Sequence, residues 1–205
     1  MNRKGQFFPI KDENPRKTTP VVTWTLMGVN VAAFIISLTA FDAIIQSFGF
    51  TPAHATIITI FTSMFLHGGI AHIAGNMWFL FIFGDNIEDT FGKWMYLLFY
   101  IVAGIAATIV HWLFNVGSVI PAVGASGAIS GVLGAYLVLF PHVQVHVAGR
   151  YGTSKISAYA MLGIWFGFQL ISGFLGSENG VAFWAHIGGF VFGAGFAFLW
   201  KKISS

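Results

Sequence analysis

Six apolar runs, of about sixteen to twenty residues each, constrain this chain more than any other feature. They cover approximately residues 21–40, 71–86, 94–114, 123–140, 156–175 and 182–200. A run of about 20 apolar residues matches the hydrocarbon thickness of a bilayer. There every backbone N–H and C=O must be bonded internally, which leaves the helix as the solution for runs of this kind. Charged residues are 8% of the 205, against roughly a quarter in soluble domains. The sequence therefore predicts an all-α polytopic membrane protein with one membrane domain over 21–200. A polar, flexible cytoplasmic tail is expected over 1–20, with an interfacial stretch at Phe7 and Phe8. A short cytoplasmic tail is expected over 201–205. No cleavable signal peptide is expected, because the first apolar run is long and follows a polar segment. The chain has no cysteine, which excludes disulfides and thiolate chemistry.

Charge sets the expected direction of the spans. Residues 55–67 are also apolar and would make a seventh span, but six spans place all ten basic residues on one side. Arg3, Lys4, Lys11, Arg16 and Lys17 precede the first span. Lys93 follows the second, Arg150 and Lys155 follow the fourth, and Lys201 and Lys202 follow the sixth. The opposite loops carry only Asp42 and Glu178. Positively charged loops stay in the cytoplasm, so both termini are expected there. Residues 41–70 then form a long outer loop, partly helical and lying in the interface. The basic residues orient the chain, and a nucleic-acid partner is not expected. The lipid bilayer is.

Spans two, four and six run from outside to inside in this topology. Each carries polar groups near its outer end: His72 and Asn76, Ser126, and His186. Polar residues inside a membrane are costly and usually face a bundle interior or a cavity with a function. At about 1.5 Å per residue, Ser126 and His186 are expected roughly 6–8 Å inside their helices. A serine needs a base to become a nucleophile, and His186 is the candidate. No acid lies at that depth, so a Ser–His dyad is expected rather than a triad, with packing or a backbone carbonyl fixing the histidine. His72 and Asn76 share one helix face and, with the Ser126 N–H, are candidates for an oxyanion hole. Gly127 and Gly131, with Gly134, and Gly189 and Gly193, with Gly188, are candidates for close helix packing. Other roles stay open at this point. Ser126 could bond its own backbone, Ser130 could be the nucleophile, and His72 and Asn76 could tie the loop to the second span. His186 could be a buried hydrogen-bonding residue, or a haem or metal ligand. His67 is expected to be structural.

The stretches His67-Gly-Gly-Ile-Ala-His72-Ile-Ala-Gly-Asn76-Met77, Gly124-Ala-Ser126-Gly-Ala-Ile and Ala185-His186-Ile-Gly-Gly189 with Gly193 resemble the rhomboid intramembrane serine proteases. The resemblance spans roughly residues 21–200 and implies a six-transmembrane-helix rhomboid-like bundle. It implies a serine endopeptidase cleaving transmembrane or membrane-proximal segments of other membrane proteins. Ser126 would be nucleophile, His186 base, and His72, Asn76 and the Ser126 backbone the oxyanion hole. No metal or organic cofactor is implied. Glu88 and Gly92 match a family pattern with a structural role. The loop at 176–182 is implied as a cap, and the gap between the second and fifth spans as the way in for substrate. A multi-pass protein of a prokaryotic inner membrane, its site opening outward, is the expected setting. Two positions depart from the family. Ser130 stands where an aromatic often packs under the histidine, and no Trp or Arg occurs between residues 41 and 71. A non-catalytic rhomboid-like protein that binds membrane clients is the alternative, although such proteins typically lack the serine or the histidine. A channel or haem bundle would need the seven histidines at matching depths, and they are scattered.

Overall fold

In the computed structural model, which describes residues 8–149, 152–176 and 180–204, the apolar runs form six long helices. These are α1 (Val21–Ser37), α4 (Ile70–Phe91), α5 (Lys93–Phe114), α6 (Ser126–Leu139), α7 (Ala158–Leu175) and α8 (Phe183–Ser204). Two short helices, α2 (Phe41–Phe48) and α3 (Ile57–Thr62), lie in the 38–69 connection. Among the described residues, α5, α7 and α8 are each long and apolar enough to cross a membrane, while α1 and α6 are shorter apolar helices. The chain is an integral membrane protein built as a helical bundle.

Residues 55–67 do not form a seventh member of the bundle. The segment Ile57–Phe65 meets α4 at 85°, so it lies across the bundle rather than along it. Gly69, with its backbone nearly fully extended, opens the corner. Met64 anchors the segment to α5, where a Cβ on Gly104 would come within 2.0 Å of the Met64 methyl carbon.

Helix α6 is the shortest of the six long helices, and its neighbours explain why. Pro121 disfavours helix in the residue before it, and Gly124 adopts φ +133, a conformation open to glycine. The segment 115–125 therefore runs outside the helix. It is held at Phe50, whose backbone exchanges two hydrogen bonds with Ala122 (3.0 and 2.8 Å), and at Gly124, whose N–H donates to the Ser63 carbonyl at 2.9 Å. Ser126 thus sits at the very start of α6 rather than several residues inside it, which corrects the expected depth. His186 lies three residues past the start of α8, about 4.5 Å along the axis.

Helices α6 and α8 run parallel and share the most extensive helix contact in the bundle. Lipid tails are as apolar as leucine, so helices associate in membranes by close packing of small residues. A Cβ on Gly189 would lie 2.0 Å from the Gly127 carbonyl oxygen, and one on Gly193 would lie 1.9 Å from that of Gly131. From the other side, a Cβ on Gly134 would lie 2.1 Å from the Phe190 carbonyl oxygen. Gly127 and Gly131 turn mainly towards α5, where their Cβ positions fall 2.6 Å from Ala107 and Ala103.

At the end of the bundle opposite Ser126, the structure adds something the sequence reading lacks. Strands β1 (Phe8–Asp12), β2 (Gln144–Gly149) and β3 (Gly152–Ser157) form an antiparallel sheet in the order β1-β2-β3. Among the described residues the protein is therefore a helical bundle with a small sheet, rather than helical throughout. Residues 8–12 of the expected flexible tail are part of it. The tail's first seven residues, Phe7, Arg3 and Lys4 included, lie outside the described residues, as do Arg150, residues 177–179 of the expected cap with Glu178, and residue 205. The expected C-terminal tail continues α8 through Ser204. Val145 and Val147 of β2 are fully buried against the bundle. Trp78 of α4 stacks on Phe8 at 5.6 Å and donates its indole N–H to the Pro9 carbonyl at 2.7 Å. Asp12 accepts from the Tyr136 hydroxyl of α6 and from Asn86 Nδ2 of α4 at 3.1 Å. Glu13 pairs with Lys155 at 2.6 Å and His146 at 2.8 Å.

Glu88, on the last turns of α4, is the buried carboxylate of this end. Pro20 begins α1 without a side-chain cap. Glu88 supplies one instead, accepting from Val22 N–H at 2.9 Å, Thr23 N–H at 2.8 Å and the Thr23 hydroxyl at 2.8 Å. Asp89 accepts beside it from the Thr18 N–H at 3.0 Å. Gly92, at φ +75, then turns the chain into α5.

Two predictions follow from this end of the bundle. Glu88→Ala removes a charged cap and leaves two α1 amides without a partner, so it should lower stability by roughly 2–3 kcal/mol; reversible unfolding in mixed micelles measures this, and an unchanged midpoint would contradict the capping role. Asp12 supplies a pH test. Burial pushes its carboxyl up from 3.8 to about 6, against the hydrogen bond from Tyr136. A raised folded value means that the protonated form favours docking: the contribution is full below 3.8 and lost as pH rises through about 6. Glu13 works the opposite way, because Lys155 and then His146 hold its carboxyl below the usual 4.5. Comparing Asp12→Asn with the parent isolates Asp12. The variant should protect β1 amides from hydrogen exchange more strongly at pH 7, with the difference closing as the pH approaches 3.8. A difference that grows on acidification would contradict this.

Candidate active site

Three helices that run the same way bring their polar residues together at one end of the bundle. His186 Nε2 lies 2.8 Å from Ser126 Oγ. The contact is possible because Gly189 and Gly193 let the α8 backbone lie against that of α6 one turn below. Ser126, as the first residue of α6, leaves its N–H without an intrahelical carbonyl, at the positive end of the helix dipole.

His72 and Asn76 come from the first two turns of α4. A Cβ on Gly124 would fall 2.8 Å from both Cε1 and Nε2 of His72, so glycine at 124 allows the ring to press against the backbone just ahead of Ser126. His72 Nδ1 accepts from the Gly68 N–H at 3.3 Å. Its hydrogen therefore sits on Nε2, the atom nearest Gly124, and that nitrogen is a donor. Asn76 is buried, and its Nδ2 has no hydrogen-bond partner among the described residues. A buried amide without an acceptor is costly unless something else occupies it.

These residues line a cleft of about 740 Å³ between α4 and α7, whose wall also includes Ser130 and Trp165. Ser130 Oγ donates to the Ser126 carbonyl at 2.6 Å, so its hydroxyl bonds the helix backbone and not a base. The aromatic absent at 130 has a counterpart elsewhere: Trp165 of α7 lies 6.0 Å from the His186 ring at 32°, and Phe183 lies 6.4 Å away edge-on. His67 is fully buried, 5.2 Å from the His72 ring. Among the described residues no group of three or more His, Cys, Asp or Glu is placed to hold a metal.

The structure also adds a residue that sequence reasoning missed. Gln169 of α7 is 5% exposed and places its Oε1 2.8 Å from His186 Nδ1. The signal was there. An amide in the apolar run of α7 is as costly as the serine and histidine that attracted notice.

Comparison with known proteins gives the family. Residues 54–203 match the Rhomboid domain, and the chain belongs to the rhomboid family. It is 30% identical over 203 residues to the rhomboid protease GluP of Bacillus subtilis, which covers 90% of this chain and 37% of GluP. It is 33% identical over 143 residues to RHOMBOID-like protein 1 of Arabidopsis thaliana, covering 68% of this chain and 34% of that protein. It is 30% identical over 154 residues to the rhomboid protease AarA of Providencia stuartii, covering 64% of this chain and 52% of AarA. The chain thus spans between about a third and a half of the length of these relatives.

The glycine contact carries its own test. Gly193→Ala puts a Cβ against backbone that has no freedom to give, and should destabilise the bundle by about 1–3 kcal/mol. Gly195→Ala, where the Cβ would meet open space, should stay within about 0.5 kcal/mol of the parent. Equal unfolding midpoints for the two variants would contradict the packing described.

Proposed function

We propose that the protein is an intramembrane serine endopeptidase that hydrolyses peptide bonds in or near transmembrane segments of other membrane proteins. The observation that carries this is the 2.8 Å contact between Ser126 Oγ and His186 Nε2, beside amide donors that have no other acceptor. Membership of a family whose named relatives include rhomboid proteases supports it.

Ser126 Oγ attacks the scissile carbonyl carbon while its proton passes to His186 Nε2. The carbonyl oxygen gains the negative charge. Asn76 Nδ2–H, His72 Nε2–H and the Ser126 backbone N–H are the donors for it, as an oxyanion hole requires. As the tetrahedral intermediate collapses, the C–N bond breaks and the amine nitrogen takes the proton from His186. An acyl-enzyme ester on Ser126 remains. Water then gives a proton to His186 and its oxygen to the acyl carbon; in the second collapse the ester C–O bond breaks, His186 returns that proton to Ser126 Oγ, and the carboxylic acid is freed.

Substrate reaches the cleft between α4 and α7, with a short stretch of its helix unwound to present a carbonyl. Small side chains at the cleaved bond suit so crowded a site. The basic residues at the sheet end favour the cytoplasm for that end, and the proposed setting is a prokaryotic inner membrane with the site opening outward. The chemistry described needs no cofactor.

Ser126→Ala and His186→Ala should each reduce cleavage of a transmembrane reporter in proteoliposomes to background. Cleavage by Ser126→Ala at the parent rate would sink the assignment.

A further inference from the structure

His186 must do more than stand near Ser126. A neutral imidazole carries one hydrogen, on either nitrogen. Only the form with its hydrogen on Nδ1 and a lone pair on Nε2 can take the serine proton. The ring must also hold its orientation about the bond to Cβ. In the Ser-His-Asp arrangement a buried carboxylate does both jobs. Among the described residues no carboxylate faces His186, and Ser130, bonded to the Ser126 carbonyl, offers no ring from α6 to brace it.

We propose that Gln169 is the positioning residue for His186: its side-chain oxygen accepts the Nδ1 hydrogen and so turns the Nε2 lone pair to Ser126. This rests on Ser126 and His186 acting as nucleophile and base. Both contacts of the ring measure 2.8 Å, one to Gln169 Oε1 and one to Ser126 Oγ. Oε1 is an acceptor only, so the hydrogen between it and Nδ1 belongs to the histidine, and Nε2 is left as the acceptor for the Ser126 hydroxyl. Gln169 is buried, and Trp165, one turn earlier on α7, lies over the same ring. The two residues make α7 a brace for a histidine carried by α8.

The proton balance supports an amide in this place. When Ser126 attacks, its O–H bond breaks and an N–H bond forms at Nε2, giving an imidazolium with hydrogens on both nitrogens. The Nδ1–H···Oε1 bond becomes charge-assisted at that moment and strengthens roughly twofold. When the amine departs it takes the Nε2 hydrogen, and the Nδ1 hydrogen stays on the histidine throughout. Gln169 thus favours the charged ring in the transition state without burying a permanent charge in hydrocarbon, where an aspartate would be costly.

The experiment uses the full chain in nanodiscs, comparing the parent with Gln169→Leu, which keeps bulk and loses the acceptor, and Gln169→Glu, which keeps both reach and acceptor. Cleavage of a transmembrane reporter gives kcat and KM, a fluorophosphonate reports Ser126 reactivity, and ¹⁵N-histidine NMR reads the His186 tautomer. Gln169→Leu should lower kcat roughly 10- to 100-fold, less than the ~10⁴-fold seen when a triad tautomer is corrupted. KM should change little, Gln169→Glu should restore most of kcat, and the parent should show a protonated Nδ1 and an unprotonated Nε2. An unchanged kcat in Gln169→Leu, a loss that Glu does not rescue, or a protonated Nε2 in the parent would each overturn the proposal. Should Gln169→Leu fail to fold, the Glu variant and the parent tautomer still decide. A parent that neither cleaves nor labels at Ser126 would sink the protease reading itself, whereas an active parent beside an unaffected Gln169→Leu would sink only this inference.

Discussion

Everything at the candidate site depends on two helix backbones touching. The Gly131 carbonyl oxygen occupies a place 1.9 Å from where a side chain on Gly193 would begin, and Gly127 stands in the same relation to Gly189 at 2.0 Å. With ordinary side chains at these positions, helix axes sit 8–10 Å apart, and a serine on one would not reach a histidine on the other. The contact also fixes register, because each glycine meets one carbonyl and not its neighbour. Ser126 and His186 inherit their spacing from it.

The candidate site holds no carboxylate, lysine or arginine among the described residues. Serine, two histidines, asparagine and glutamine supply donors and acceptors, while the carboxyl groups of Glu88, Asp89, Asp12 and Glu13 gather at the other end of the bundle. This division follows from the medium. A formal charge near the hydrocarbon is costly, whereas neutral dipoles that are already oriented remain effective in a low dielectric. In the proposed reaction charge exists there only transiently, on His186 and on the oxygen being attacked. The end that meets basic loops can hold carboxyl groups, among them Glu88, which caps α1, and Glu13, which pairs with Lys155.

Much of this was legible in the sequence because membrane solvation leaves few solutions. Apolar length gave the six helices, and the cost of polar groups in hydrocarbon singled out Ser126, His186, His72 and Asn76. What was not legible came from weaker signals. The strand Gln144–Gly149 alternates Val145, His146 and Val147, a period-two pattern too short to stand out between long helices. The start of α6 depended on backbone angles at Gly124, which hydropathy does not register. The pairing of Gln169 with His186 needed the relative rotation of α7 and α8, and no sequence spacing encodes that. Ser130 looked like a rival nucleophile until its bond to the Ser126 carbonyl was visible.

The cap that Glu88 places on α1 bears on how the protein is made. Of the six long helices α1 leaves the ribosome before the others, and its N-cap, Pro20, supplies no side-chain acceptor for its opening amides. Their partner is synthesised 66 residues later. Until α4 arrives, the first helix has an incomplete end and no fixed neighbour. Its N-terminus becomes fully bonded only when the second long helix has turned back alongside it. Of the six long helices, the first in the chain therefore has its opening amides fully bonded only once the second has been made.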